Sequence, residues 1–237
     1  EDLYFCGAKG STGTLFIQNR DGSFNESEQQ CFTYDKNSED TDALFFDADG
    51  DSDPDLYVVS GGNEFSPSSP ELRDRLYLND GSGHFTKTVD RLPEMIVSGS
   101  CVKAADIDGD GDNDLFVGGR LVPEKYPMAP RSFILENNGK GFFSDVTGKY
   151  SSSLTAPGMV TDAFWADINA DMKPDLVIAG EWMKIRVFKN TGGKLEEITE
   201  SAGLQDTEGW WNILYPADID RDGDTDFIAG NMGLNTR

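Results

Sequence analysis

Four short segments gather carboxylates at a spacing that suits a hard cation. Residues 47–55 read DADGDSDPD, 106–114 DIDGDGDND, 167–175 DINADMKPD and 218–226 DIDRDGDTD. In a tightly turning nine-residue loop of this kind, side chains 1, 3, 5 and 9 point inward and the carbonyl of residue 7 adds another oxygen. Calcium takes six to eight oxygen ligands at about 2.3–2.6 Å, so such a loop plus water completes its shell. Loop one therefore offers Asp47, Asp49, Asp51 and Asp55 with the carbonyl of Asp53. Loop two offers Asp106, Asp108, Asp110 and Asp114 with the carbonyl of Asp112. Loop four offers Asp218, Asp220, Asp222 and Asp226 with the carbonyl of Asp224. Loop three is degenerate: Asp167, Asn169, Asp171 and Asp175 with the carbonyl of Lys173, hence fewer charges, a cation inside and the weakest expected binding.

An EF-hand opens on a similar pattern but needs a bidentate Glu at position 12 between two helices. Here position 12 is Val58, Val117, Ile178 or Ala229, each in a β-prone run, which excludes that motif. Magnesium, with its octahedral shell rich in water, is the weaker candidate. Zinc lacks His and Cys ligands. Three to four calcium ions per chain are expected; the bland alternative is a set of acidic turns without metal. Four or five carboxylates in nine residues would then repel one another strongly.

The elements that position these loops are short strands. The loops start 59, 61 and 51 residues apart, and between them fall a second set of related segments at Leu15, Leu76, Phe133 and Val187. Two interleaved signals in constant order define a repeat of about 50–60 residues. Within one repeat, strands are expected at 100–105, 115–119, 132–136 and 142–146, the last two flanking an Asn/Gly-rich hairpin turn. Four antiparallel strands per repeat is the size of a propeller blade. The fold is thus expected to be all-β, a β-propeller of four-stranded antiparallel blades, with about four blades in this chain. The expected division is 1–35 (a blade lacking its first strand), 36–94, 95–153 and 154–203 (blades), and 204–237 (the first half of another). Residues 2–7 match the tail of an Asp motif whose head would lie upstream, so the chain reads as part of a longer ring, with the remainder of the same propeller as its first partner.

The pattern D-x-D-x-D-G-x-x-D-L, followed by an apolar strand and Gly, resembles the FG-GAP/VCBS repeats, whose blades also build the calcium-binding propeller of integrin α-subunits. GWWN at Gly209, GEWM at Gly180 and AGNMGLN at Ala229 are similar to bacterial members related to the cartilage acidic protein (ASPIC/UnbV) group. The resemblance implies a ring of seven blades or so, export from the cell, and calcium in the hairpin between a blade's first two strands. Ser52 and Met172 stand where this family usually has Gly, which bears on the tightness of loops one and three.

Composition restricts the function classes. With 43 acidic and 20 basic residues the formal charge is -23, which four divalent ions would bring to about -15. Such a surface repels phosphate backbones, so no nucleic-acid partner is expected. No apolar run reaches the ~20 residues of a membrane span. Cys6, Cys31 and Cys101 have no metal-type spacing and are read either as one disulfide or as free thiols. The single histidine, His84, sits in a Gly-Ser-Gly-His-Phe turn, a poor start for a Ser/His/Asp triad or a His-based metal centre.

The functional expectation is a non-catalytic, calcium-stabilised binding or scaffold propeller, secreted or lipoprotein-anchored at the cell surface, with a glycan or protein partner. Trp182, Trp210 and Trp211, with Arg120 and Arg131, are the candidate ligand-binding residues, against the reading that the tryptophans pack between blades. Two alternatives remain open: a polysaccharide lyase or hydrolase on the same scaffold, and a purely architectural segment. Extracellular calcium near millimolar suits modules with dissociation constants of roughly 10⁻⁴–10⁻³ M.

Overall fold

A computed structural model describes residues 2–233; residue 1 and residues 234–237, including Leu234 and Asn235 of the AGNMGLN segment and the outermost ends of the first and last expected blades, lie outside it. The strands are β1 (Leu3–Phe5), β2 (Thr14–Gln18), β3 (Phe24–Ser27), β4 (Asp40–Phe46), β5 (Asp55–Ser60), β6 (Arg75–Asn79), β7 (Phe85–Lys87), β8 (Ser98–Ala105) and β9 (Asp114–Leu121). They continue with β10 (Phe133–Glu136), β11 (Ser144–Asp145), β12 (Met159–Ala166), β13 (Asp175–Met183), β14 (Arg186–Asn190), β15 (Leu195–Glu197), β16 (Gly209–Ala217) and β17 (Asp226–Asn231). Two short helices, α1 (Gln30–Tyr34) and α2 (Thr147–Tyr150), and two 3-10 turns are the only helical pieces among the described residues.

All strand pairs are antiparallel. They form a three-stranded sheet β1-β2-β3, two four-stranded sheets β4-β5-β6-β7 and β8-β9-β10-β11, and a fourth unit β12-β13-β14-β15 to which β16-β17 is joined. Among the described residues no sheet closes into a barrel, and the arrangement is propeller-like.

Period-2 alternation puts both faces of the second strands β5, β9 and β13 into a core. In β5, Leu56 and Val58 pack with Leu15, Phe32 and Tyr77, while Tyr57 and Val59 pack with Val102, Leu115 and Val117 of the next sheet. In β13, Leu176 and Ile178 pack toward Phe116 and Ile134, while Val177 and Ala179 pack toward Leu214. The core therefore lies between successive sheets, each sandwiched by its neighbours. This explains why these strands read as continuous apolar runs.

The first strands β4, β8, β12 and β16 adjoin one another in turn. A hydroxyl at the register irregularity of each of the first three, β4, β8 and β12, ties one sheet to the next. Thr41 donates to the Gly99 carbonyl (3.2 Å), Ser100 to that of Val160 (2.7 Å) and Thr161 to that of Trp211 (2.9 Å). Below this row, Asp42 accepts from the Val102 N–H (2.9 Å) and Asp162 from the Leu214 N–H (2.8 Å). The Lys103 ammonium lies 3.1 Å from Asp162 and 3.9 Å from Asp42.

The three cysteines are free thiols, Cys101 buried and Cys6 exposed, which decides against a disulfide.

Candidate metal loops and an aromatic platform

Each Asp loop joins the first and second strands of its sheet, at the same end as the turn between the third and fourth. The four loops share one backbone shape, held by their own carboxylates. The first Asp accepts from the N–H of residue 6: Ser52 to Asp47 (2.9 Å), Gly111 to Asp106 (3.1 Å), Met172 to Asp167 (2.7 Å) and Gly223 to Asp218 (3.3 Å). Ser52 and Met172 adopt the left-handed backbone usually left to Gly (φ 72° and 64°), so loops one and three keep the turn despite the side chain.

In loops one to three the ninth Asp is the buried pin. Its Oδ2 accepts from residue 2 of the loop, and its Oδ1 from the Asn that ends the third strand. The latter pairs are Asn79 to Asp55 (2.9 Å), Asn137 to Asp114 (2.8 Å) and Asn190 to Asp175 (2.7 Å). Burial raises these carboxyls, Asp55 to about 6 and Asp114 to about 7, partly offset by the backbone donors and reinforced by neighbouring carboxylates. The seventh side chain of loop two, Asp112, is likewise raised to about 6, by burial and then by Asp110.

That Asn also reaches the preceding sheet. The Asn137 amide donates to the Ala48 carbonyl of loop one (2.9 Å), and that of Asn190 to the Ile107 carbonyl of loop two (2.8 Å). Each of these two loops is thus latched by the hairpin of the following sheet. Sequence reasoning saw these Asn residues only as turn formers.

Loops one, two and four each bring three carboxylates together: Asp47, Asp49 and Asp55; Asp106, Asp108 and Asp114; Asp218, Asp220 and Asp226. Within each trio, one oxygen per residue lies within 4.8 Å of the others. The fifth-position acids Asp51, Asp110 and Asp222 stand outside these trios, each accepting from the N–H of residue 7 instead. Three buried carboxylate oxygens, on Asp49, Asp53 and Asp112, have no hydrogen-bond partner. Hard anionic oxygens that are converging, desolvated and unpartnered are what a calcium ion would satisfy, so loops one and two fit that group, and loop four repeats their trio in a more exposed setting. Two of the three orphans belong to the seventh residue, from which only the carbonyl was expected.

Loop three differs. Asn169 donates its amide to Asp175 Oδ2 (2.8 Å), occupying an oxygen that faces the trio in the other loops. Two ammonium groups flank Asp171, from Lys173 at 3.9 Å and Lys189 at 3.8 Å.

The opposite ends of the sheets carry a second constellation. β13 pairs with β12 as far as Met159–Glu181, then with β16 through Glu181–Trp210 and Met183–Gly209, with a register irregularity between. Gly180 permits this close approach, since a Cβ there would lie 2.0 Å from the Met159 carbonyl. Trp182, the residue between the two register pairs, takes a left-handed backbone (φ 57°) and stands 64% exposed. Its indole N–H donates to the Tyr126 hydroxyl (2.8 Å), and its ring lies 5.0 Å from that of Trp210. Tyr126 in turn donates to Glu181 Oε2 (3.2 Å), while Arg120 holds Glu181 Oε1 through Nε (3.0 Å) and Nη2 (2.7 Å). Glu181 is buried.

Of the expected ligand residues, Trp182, Trp210 and Arg120 meet here. Trp211 does not: it packs against the core under β16 and gives its N–H to the Thr207 carbonyl (2.8 Å). Arg131 lies against its own sheet, bonded to Asp145 (2.6 Å) and stacked on Phe133. Glu181 and Tyr126 were missed, because nothing local in sequence links residues 55 apart. His84 is exposed in its turn, beside Ser82.

Serial propeller-like sheets with Asp loops at one end define a repeat protein. The family model described as FG-GAP-like repeat matches residues 47–117 and 167–229, more than half of the chain, and the chain belongs to this family. No curated protein matches it. Among solved structures, one match is an Agrocybe aegerita lectin described for specific recognition of non-reducing terminal N-acetylglucosamine. It is 19% identical, with a TM-score of 0.49, over 82% of this chain and 50% of that one. The present chain thus spans about half the length of that structure.

Proposed function

We propose that the protein is a non-catalytic, calcium-loaded binding propeller of the extracellular surface, which takes its ligand on the face opposite the metal loops. Calcium held by loops one, two and four would neutralise carboxylates that otherwise repel one another at the sheet junctions. The blades of this reading are 36–94, 95–153 and 154–203, flanked by the partial blades 1–35 and 204–237. The exposed Ile213, Tyr215 and Ile228 are the surface on which further blades of the ring would pack.

One observation carries the ligand site: Trp182 is held outward in a conformation that costs an L-residue about 1–2 kcal/mol. A buried, charge-paired Glu181 and a tyrosine fix it there. With its N–H already satisfied, the indole offers a π-face to a partner. A sugar ring, apolar on its C–H face and hydroxylated at its rim, matches an aromatic face beside the half-exposed Arg120 guanidinium; a protein side chain is the second occupant.

The test is a glycan array in millimolar calcium, with polysaccharide turnover followed in the same samples. Trp182→Gly removes the ring while relieving the backbone, so it should abolish binding with little change in melting temperature. Undiminished binding by that variant would overturn the site, and turnover would overturn the non-catalytic reading.

A further inference from the structure

Loop three repeats the backbone of its neighbours but not their electrostatics. Loops one, two and four each carry five aspartates in nine residues; loop three carries three, with Lys173 at position 7. The third strand adds a second difference. The residue before the latching Asn is Leu78 in β6 and Glu136 in β10, but Lys189 in β14. Both ammonium groups lie on Asp171 Oδ2, at 3.9 and 3.8 Å. Asn169 meanwhile hands an amide proton to the ninth-position carboxylate at 2.8 Å. Among the described residues, loop three shows neither a converging carboxylate trio nor an unpartnered buried carboxylate oxygen.

We propose that loop three carries its own cation: Lys173 and Lys189 with the Asn169 amide replace the metal, and the stability of the blade over 154–203 is independent of calcium while that of its neighbours depends on it. This deepens the calcium reading given above and rests on it. A metal arriving at loop three would have to displace the amide from Asp175 and would meet two positive charges beside Asp171. In exchange it would gain two carboxylates fewer than elsewhere. The two half-exposed ammonium groups already compensate Asp171 and repel a dication through solvent-screened charge, so together with the Asn169 amide the site discriminates against calcium while keeping the turn. The consequence is an array pinned in two ways. Glu181 and Trp182, on β13, belong to the blade whose integrity does not follow the ion.

Native mass spectrometry of the whole chain in millimolar calcium gives the stoichiometry directly. Three ions per chain are expected. Four would overturn the proposal and leave the calcium reading intact; none would refute the calcium reading and this one together. A variant that copies loop one, Asn169→Asp/Lys173→Asp/Lys189→Leu, should take a fourth ion, and a folded variant still holding three would refute the assignment to the lysines.

Hydrogen exchange supplies a measure that needs no variant. On adding EDTA, amides of β4, β5, β8, β9, β16 and β17 should exchange at least about tenfold faster, while those of β12–β14 change less than about twofold. Equal acceleration in all blades would overturn the proposal.

Discussion

Asn137→Ala probes the junction between the first Asp loop and the sheet that follows it. The side chain is buried, donates to the Ala48 carbonyl at 2.9 Å and the Asn113 carbonyl at 3.3 Å, and accepts from the Asn138 N–H at 2.8 Å. Its backbone N–H to Asp114 survives the substitution. Three side-chain hydrogen bonds at about 1 kcal/mol each, less about 1 kcal/mol of recovered side-chain entropy, give a loss of about 2 kcal/mol. The two stranded carbonyls raise this toward about 3 kcal/mol. With a urea m-value near 3 kcal/mol/M, the midpoint should fall by about 0.7–1 M. Asn79→Ala is the internal comparison, because that amide donates only within its own sheet, to the Pro54 carbonyl at 3.1 Å. It should cost about 1 kcal/mol. Ala48 lies between Asp47 and Asp49, so Asn137→Ala combined with Asp49→Ala should be non-additive by at least about 0.5 kcal/mol, and Asn79→Ala with Asp49→Ala additive. A loss under about 0.5 kcal/mol for Asn137→Ala, or strict additivity with Asp49→Ala, would refute the latch.

Two further outcomes follow from the charge arrangement. In EDTA, the folded-state carboxyls of Asp114 (about 7) and Asp55 (about 6) lie above the unfolded value, so the native chain binds more protons between about pH 4 and 7 and its stability falls as pH rises through that window. Denaturant melts at pH 5 and pH 8 should differ by about 2–4 kcal/mol in favour of pH 5, whereas saturating calcium should reverse the order, since acid then displaces the ion. Lys103→Met leaves Asp42 and Asp162 facing each other uncompensated; discounted for a side chain one-third exposed, the loss should be about 2 kcal/mol at pH 7, and an unchanged melting curve would show that solvent already screens the pair.

Much of the fold was legible because its signals are local. A strand following Asp114 and another ending before Asn137 need only β-prone runs and Gly/Asn turns, and the structure places β9 and β10 there. Acid spacing in the loops is equally local, and so is the swap of Lys173 into loop three. What escaped depends on register between sheets. Trp182 and Trp211 belong to similar Gly-x-Trp contexts, yet one is exposed and the other packs inward. The pairing of β13 with β16, and the left-handed turn it imposes at Trp182, decide between them. Lys189 was likewise mute until the third strand was laid beside Asp171.

The latch and the loops also explain why the repeat tolerates one degenerate member. Asp175 keeps the shape of loop three by accepting from Ile168 (3.2 Å) and Asn190 (2.7 Å), bonds that need the carboxylate but no metal. Asn190 then holds Ile107 of loop two, so the junction on that side is intact whatever occupies loop three. Backbone donors already order the carboxylates of the other loops, so an ion bound there would neutralise charge and would not be needed to create the turn. Under the proposal for loop three, a repeat would exchange its ion for a pair of lysines without losing register, provided the first and ninth aspartates and the Asn remain. In a solenoid-like array, where each unit contacts only its neighbours, such an exchange would alter one repeat's dependence on calcium and leave its interfaces unchanged.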